Sequence, residues 1–192
     1  VIVPDAEVLA RLGAERFVRL AQEASESRGR FTAALSCGTT PRGMYRLLAE
    51  EPYCSEVPWQ QVHLFWGDER CVPASDPESN YGNARSLLLD ALGIPAGNIH
   101  PMYRDGENPE KEALRYEQLL RENLPSNGAY PEFDWIWLGL GEDGHTASIF
   151  PNQMELLKSD KICEVAYHPE TGQKRITLTG PVINNSKHIV FL

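Results

Sequence analysis

The sequence predicts one α/β domain, residues 1–192, built on a mostly parallel sheet with helices on both faces. Three observations carry that expectation. The length suffices for one substantial core. Apolar runs at 31–35 (FTAAL), 62–66 (VHLFW) and 133–140 (FDWIWLGL) read as strands, the last with the near-continuous hydrophobicity of burial on both faces. Helical periodicity fills much of the chain between them, and each strand runs into a loop of glycine and small or polar residues.

Taken in order, residues 1–3 (VIV) read as a short strand stopped by Pro4, and Asp5 as the cap of a helix from Ala6 to Ser27. Val8, Leu9, Leu12, Phe17, Val18 and Leu20 form its expected apolar stripe, and Arg28-Gly29 closes it. After the strand at 31–35 comes Ser36-Cys37-Gly38-Thr39-Thr40-Pro41, with Thr40 as cap and Pro41 as first residue of a helix through Leu48. The strand at 62–66 ends in Gly67-Asp68-Glu69-Arg70, then an irregular stretch leads to a helix over 82–92. Ile99–Met102 reads as a short strand. Residues 109–123 read as an amphipathic helix with Ala113, Leu114, Tyr116, Leu119 and Leu120 inward and its charges solvated. Beyond the central strand, Thr146-Ala147-Ser148 can open a helical turn that Pro151 keeps short, and Met154–Leu157 is a further helical candidate. Ile162–Tyr167 and Arg175–Thr179 read as strands around a turn at 169–172, and 188–192 as a last strand. The chain lacks an initial Met and stops inside that apolar run, so further residues are expected beyond Leu192.

Composition narrows the function. A net charge of −9 and a pI near 5.1 argue against nucleic acid or an anionic membrane surface as partner. No apolar run approaches the roughly 18 residues of a membrane span, and no signal-peptide pattern opens the chain. Cys37, Cys54, Cys71 and Cys163 show no C-x-x-C spacing and read as reduced thiols, so a cytoplasmic location is expected.

In a parallel sheet the carboxyl ends of the strands share one edge, where ligands bind. That edge would gather three clusters: Ser36–Thr40, Asp68–Arg70 and Asp143–His145. The first resembles an anion cradle, a small-residue loop entering a helix N-terminus, although such loops are often plain strand-to-helix turns. It has neither the P-loop pattern nor the dinucleotide G-x-G-x-x-G fingerprint. An arbitrary histidine in a turn is usually a solvated one. His145 differs, because it follows a buried strand and Gly139, Gly141 and Gly144, with Asp143 placed to orient it. The other histidines are scattered, so no metal site is expected, and no G-x-S-x-G elbow supports a serine hydrolase. What remains is metal-free general acid–base chemistry on a small anionic substrate.

Four segments carry a resemblance over essentially the whole chain: LSCGTTPRGMYRLL at 35–48, FWGDERCVPASDPESNYGNA at 65–84, LGLGEDGHTASIFP at 138–151 and RITLTGPVIN at 175–184. Together they resemble the 6-phosphogluconolactonases of the glucosamine-6-phosphate isomerase/6-phosphogluconolactonase family. The resemblance implies a modified Rossmann-like domain, hydrolysis of 6-phosphoglucono-1,5-lactone in the oxidative pentose phosphate pathway, no cofactor, and a monomer or homodimer. It implies His145 as general base on water, Asp143 as its orienting acid and Arg70 as a donor to developing charge. Ser36, Gly38, Thr39 and Thr40 would hold the phosphate, with Arg70 and Arg175 as counter-charges, although Arg175 reads almost equally well as a strand-edge surface arginine. Asp68 and Glu69 would either position Arg70 or bind sugar hydroxyls, Asn80 would bind sugar hydroxyls, and Arg42 would be solvated. Two departures stand out: Cys37 occupies the place of a second glycine, and the family's later phosphate-binding lysine is not in this sequence. The alternatives are an amino-sugar-phosphate deaminase or isomerase, whose counterpart lacks the W-G-D-E-R run at 66–70, and a non-catalytic sugar-phosphate sensor.

Overall fold

A computed structural model describes residues 3–36 and 38–191, leaving aside the side chains of Thr39 and Thr40. The strand expected at 1–3 lies mostly outside those residues, and Val3 is in no strand. Helix α1 (Ala6–Arg28) starts where the Asp5 carboxylate accepts the Val8 N–H, and ends at Gly29, whose φ of 71° suits glycine. Its buried face is Ala10, Gly13, Ala14, Phe17, Val18, Ala21 and Ala24, while Leu12 is exposed. Small residues win that face because α1 lies close against α2 (Thr39–Ala49): a methyl group on Gly43 would stand 3.4 Å from the Ala10 Cβ.

Strands β1 (Phe31–Leu35) and β2 (Val62–Trp66) form where the apolar runs place them, joined by α2, the short α3 (Tyr53–Glu56) and a 3-10 turn. Gly67 then takes the chain from one sheet to another. Its N–H donates to Leu35 O and its carbonyl accepts from Leu178. The segment expected to be a polar loop is instead strand β3 (Asp68–Arg70). Helix α4 (Asn80–Leu87) starts two residues before the expected position because Ser79 and Glu69 take its first N–H groups, and a 3-10 turn at Leu89–Ala91 replaces its expected last turn. Ile99 makes one isolated bridge to Leu64 and no strand.

Helix α5 (Pro109–Asn123) has the expected bounds, capped by Asn108. Two of its expectations fail: Leu114 is exposed, and Glu112 is buried with Arg104 and Arg115 both donating to its carboxylate. A small hairpin, β4 (Ser126–Asn127) and β5 (Tyr130–Pro131), precedes β6 (Trp135–Leu138), all four of whose residues are buried. Residues 146–148 are not helical; Ala147 adopts a φ of 50° in a tight bend, followed by a 3-10 segment at Pro151–Leu157. Strands β7 (Cys163–Tyr167) and β8 (Lys174–Leu178) follow, then an unforeseen helix α6 (Gly180–Asn184) and β9 (Ile189–Phe191).

The main sheet has the order β2-β1-β6-β9, parallel throughout, with Leu35 opposite Trp66 and Ala34 opposite Ile136. Phe17 of α1 and Tyr45 of α2 pack on Trp137 from one side; Phe65 meets Phe133 and His100. The second sheet, β3-β8-β7, is antiparallel and backed by α5. Parallel strands put the loops after Leu35, Trp66 and Leu138 at one edge, and Gly67 fastens the second sheet to it.

Candidate active site

Three strand ends and the second sheet build the site. From β1 comes Ser36, buried, its Oγ without a hydrogen-bond partner among the described residues and its carbonyl accepting the Tyr45 hydroxyl. Gly38, at φ 149°, caps α2 with its backbone, so Pro41 stands at the third helical position rather than the first. Thr39 and Thr40 occupy the first turn of that helix. Arg42 is not simply solvated: its Nη2 donates to Asn83 Oδ1 at 2.7 Å, tying α2 to α4. Cys37 lies outside the described residues.

From β3 come two buried acids with different tasks. Asp68 accepts the Ser148 hydroxyl at 2.6 Å and the Asn80 side-chain amide at 3.1 Å, which pins the histidine loop to this strand. The Glu69 carboxylate accepts the N–H groups of Arg70, Asn80 and Tyr81, so it seats the N-terminus of α4. Burial pushes Glu69 up to about 7, against the pull of those N–H donors. Arg70 donates from Nη1 to the Glu78 carbonyl, and its Nε is buried without a partner among the described residues. Across the ladder from it stands Arg175, 7% exposed, donating from Nε to the Gln173 side chain. Burial lowers the Arg175 pKa first, and the neighbouring Arg70 charge adds to it, while the charges of Asp68, Glu78 and Glu69 pull it back up. Among the described residues no carboxylate forms a direct ion pair with either guanidinium. Two adjacent cations whose acids stay at longer range make a place for an anion.

The histidine loop is held open by its glycines. A Cβ at Gly141 would fall 2.3 Å from the His145 ring atoms Cε1 and Nδ1, so only glycine lets the imidazole lie there. Gly144, at φ 85°, makes the bend. Asp143 Oδ1 then accepts both the His145 backbone N–H, at 3.1 Å, and its Nδ1, at 2.5 Å. A carboxylate only accepts, so the neutral ring carries its proton on Nδ1 and leaves Nε2 free as a base. The His145 side-chain and backbone hydrogen bonds hold the Asp143 carboxyl below its usual range.

Phe150 links the halves of the site. Its ring centroid is 4.7 Å from that of His145, and the Arg175 guanidinium carbon sits 5.4 Å above the same ring. Imidazole and guanidinium therefore lie no more than about 10 Å apart, the two distances meeting at one centroid. Sequence reasoning missed Phe150, Ser148 and Thr177, whose hydroxyl accepts the Ser148 N–H. The alternation of β8 was the available signal for Thr177; an aromatic before proline gives none for Phe150.

The sequence profile of the family described as glucosamine-6-phosphate isomerases/6-phosphogluconolactonase matches residues 4–192. A 6-phosphogluconolactonase of Haemophilus influenzae is 45% identical over 159 residues, 83% of this chain and 66% of its own length, just under two thirds. A solved structure titled as devB protein superposes with a TM-score of 0.92 at 39% identity, covering 99% of this chain and 77% of that one. A 6-phosphogluconolactonase of Trypanosoma brucei superposes at 0.86 with 28% identity, covering 100% and 80%.

Proposed function

The chain belongs to the glucosamine-6-phosphate isomerase/6-phosphogluconolactonase family, and from that premise we propose that it hydrolyses 6-phosphoglucono-1,5-lactone to 6-phosphogluconate. The observation that carries this reading is the Asp143–His145 pair set within about 10 Å of Arg175, which stands opposite Arg70, neither guanidinium being in a direct ion pair among the described residues. One end of such a site moves a proton and the other holds a phosphate.

In the proposed reaction His145 Nε2 takes a proton from water as its oxygen attacks the C1 carbonyl. The carbonyl electrons move onto oxygen, where Arg70 or loop N–H groups stabilise them. Collapse re-forms the carbonyl and breaks the bond from C1 to the ring oxygen, which receives the proton from His145. Each assisted transfer contributes about 10²–10⁴ in rate. Asp143 keeps the tautomer that leaves Nε2 unprotonated. The substrate phosphate lies between the 36–40 loop, Arg70 and Arg175. Asp68 and Asn80, both buried, serve this site chiefly by holding the histidine loop and β3 together. No helix among the described residues is long and apolar enough to cross a membrane. The enzyme would act in the cytoplasm as a monomer or homodimer.

His145→Ala tests the reading. Lactonase kcat, after subtraction of spontaneous hydrolysis, should fall about 10³-fold with Tm unchanged within a few degrees. A variant that keeps activity within a few-fold of the parent removes His145 as the base.

A further inference from the structure

We propose that Phe150 is a positioning residue: the face of its ring holds the Arg175 guanidinium and backs the His145 imidazole, so that phosphate grip and proton transfer keep one fixed separation. The inference rests on the lactonase reading for its kinetic consequences, though not for its anion-binding ones.

A nearly buried arginine ordinarily recruits a carboxylate. Arg175 is 7% exposed and forms no direct ion pair among the described residues, Asp68, Glu78 and Glu69 acting on it only at longer range; its guanidinium carbon instead stands 5.4 Å from the Phe150 centroid, inside the range of a cation–π contact. The choice of partner matters chemically. An acid would occupy the N–H donors and cancel the charge, whereas an aromatic face attracts the cation without accepting its N–H groups in a carboxylate's place and leaves donors for an incoming anion. Among the described residues Nε donates to Gln173 and no hydrogen bond engages the other guanidinium nitrogens. The same ring lies 4.7 Å from the imidazole centroid at an interplanar angle of 45°.

Phe150 is itself fixed. It is 1% exposed, and Pro151 confines its backbone to the extended region it adopts, φ −81° and ψ 156°. On a second side the His168 ring meets it at 71° and 5.3 Å, so the phenyl cannot tilt freely. The segment that carries it is tied to β3 by the Ser148 hydroxyl on Asp68, and to β8 by the Ser148 N–H on Thr177. A rigid ring between a base and a cation fixes the distance between reacting carbonyl and phosphate that the site accepts.

The experiment compares Phe150→Leu, Phe150→Tyr and Phe133→Leu, the last removing a fully buried ring at the opposite end of β6. Inorganic phosphate affinity is measured by calorimetry, and kcat and KM on the phosphorylated lactone. Phe150→Leu should weaken phosphate binding and raise KM by about 5- to 30-fold, the range of a partly desolvated cation–π contact, and lower kcat as the imidazole loosens. Phe150→Tyr, which keeps the ring, should recover most of both; Phe133→Leu should lower Tm yet leave phosphate affinity and KM at parental values. Phosphate binding within twofold of the parent in Phe150→Leu, an equal loss in Phe133→Leu, or a parent protein that takes up no phosphate would each overturn the role. A parent that binds phosphate as expected, and loses it in Phe150→Leu, but leaves the lactone intact would sink the lactonase reading while this one stands.

Discussion

The two edges of the main sheet treat charge in opposite ways. At the amino edge Asp134 is 8% exposed and saturated: Arg28 and Lys187 donate to Oδ1 at 2.6 and 2.8 Å, and the Thr32 N–H and hydroxyl to Oδ2. At the carboxyl edge Arg70 and Arg175 face each other across a ladder and spend their donors on a carbonyl and an amide. Histidines divide the other way: His63 and His100, away from the site, stack at 10° with ring nitrogens 3.3 Å apart and no acid on either ring among the described residues, while the neutral base His145 has its own carboxylate to fix its tautomer. A charge whose partners are all supplied by the fold maintains the fold. A charge left short of partners is available to a substrate.

The difference can be broken from either side. The largest effect should come from the saturated edge. Asp134→Ala strands the buried Thr32 N–H and takes an acid from half-exposed Arg28 and from Lys187, which keeps Glu132 at 3.5 Å, and should lower unfolding free energy by about 2–4 kcal/mol in urea titration. KM should stay at its parental value; a change in KM with stability intact would mean that the two edges are not separate in function. Next is Gly141→Ala. The added methyl would overlap the His145 ring, so the imidazole must leave its place and kcat should drop about 10²-fold, with little change in KM. Smaller again is Arg70→Ala, expected to lower kcat/KM about 10- to 100-fold through both parameters, because one cation serves phosphate and reaction centre. Kinetics indistinguishable from the parent would remove Arg70 from the site.

Much of this was legible in the sequence, for identifiable reasons. Apolar runs gave β1, β2 and β6, since strands buried on both faces leave no other pattern, and the loops after them follow from parallel topology. The Asp143–His145 pair could be read because both partners are two residues apart and the glycines are explicit. What failed depended on contacts distant in sequence. Arg175 reads in sequence almost equally well as a strand-edge surface arginine, and only the pairing of β8 with β3 places it opposite Arg70. Glu112 looked solvated on a charged helix, yet Arg104, from the preceding loop, and Arg115 draw its carboxylate inward. Leucines were expected on the buried face of α1, but a close helix pair selects alanine and glycine over side-chain size. Asp68–Arg70 read as a loop because three polar residues show no strand period; pairing with β8 makes them one.

The smallest effect distinguishes the two kinds of histidine by pH. Burial pushes both His63 and His100 down to about 4, with His63 and Arg30 adding to the shift at His100 and Arg30 to that at His63. An unfolded imidazole titrates near 6.5, so between those values the unfolded chain binds more protons than the folded one. Stability from this pair is therefore complete above about pH 6.5 and drains away as pH falls toward 4. Over the first unit or so of that window the loss should be about 1–2 kcal/mol, read as a falling urea midpoint at constant slope. Replacing both rings, His63→Gln with His100→Gln, should flatten that dependence while kcat at neutral pH stays at the parental level. A double variant whose midpoint still falls as steeply between about pH 6.5 and 5 would place the acid sensitivity elsewhere than this pair. Glu69 is not that source, because its sign is opposite: a carboxyl that burial raises to about 7 loses stability as pH rises from its unfolded value near 4.5 through 7, so it produces no acid-side loss.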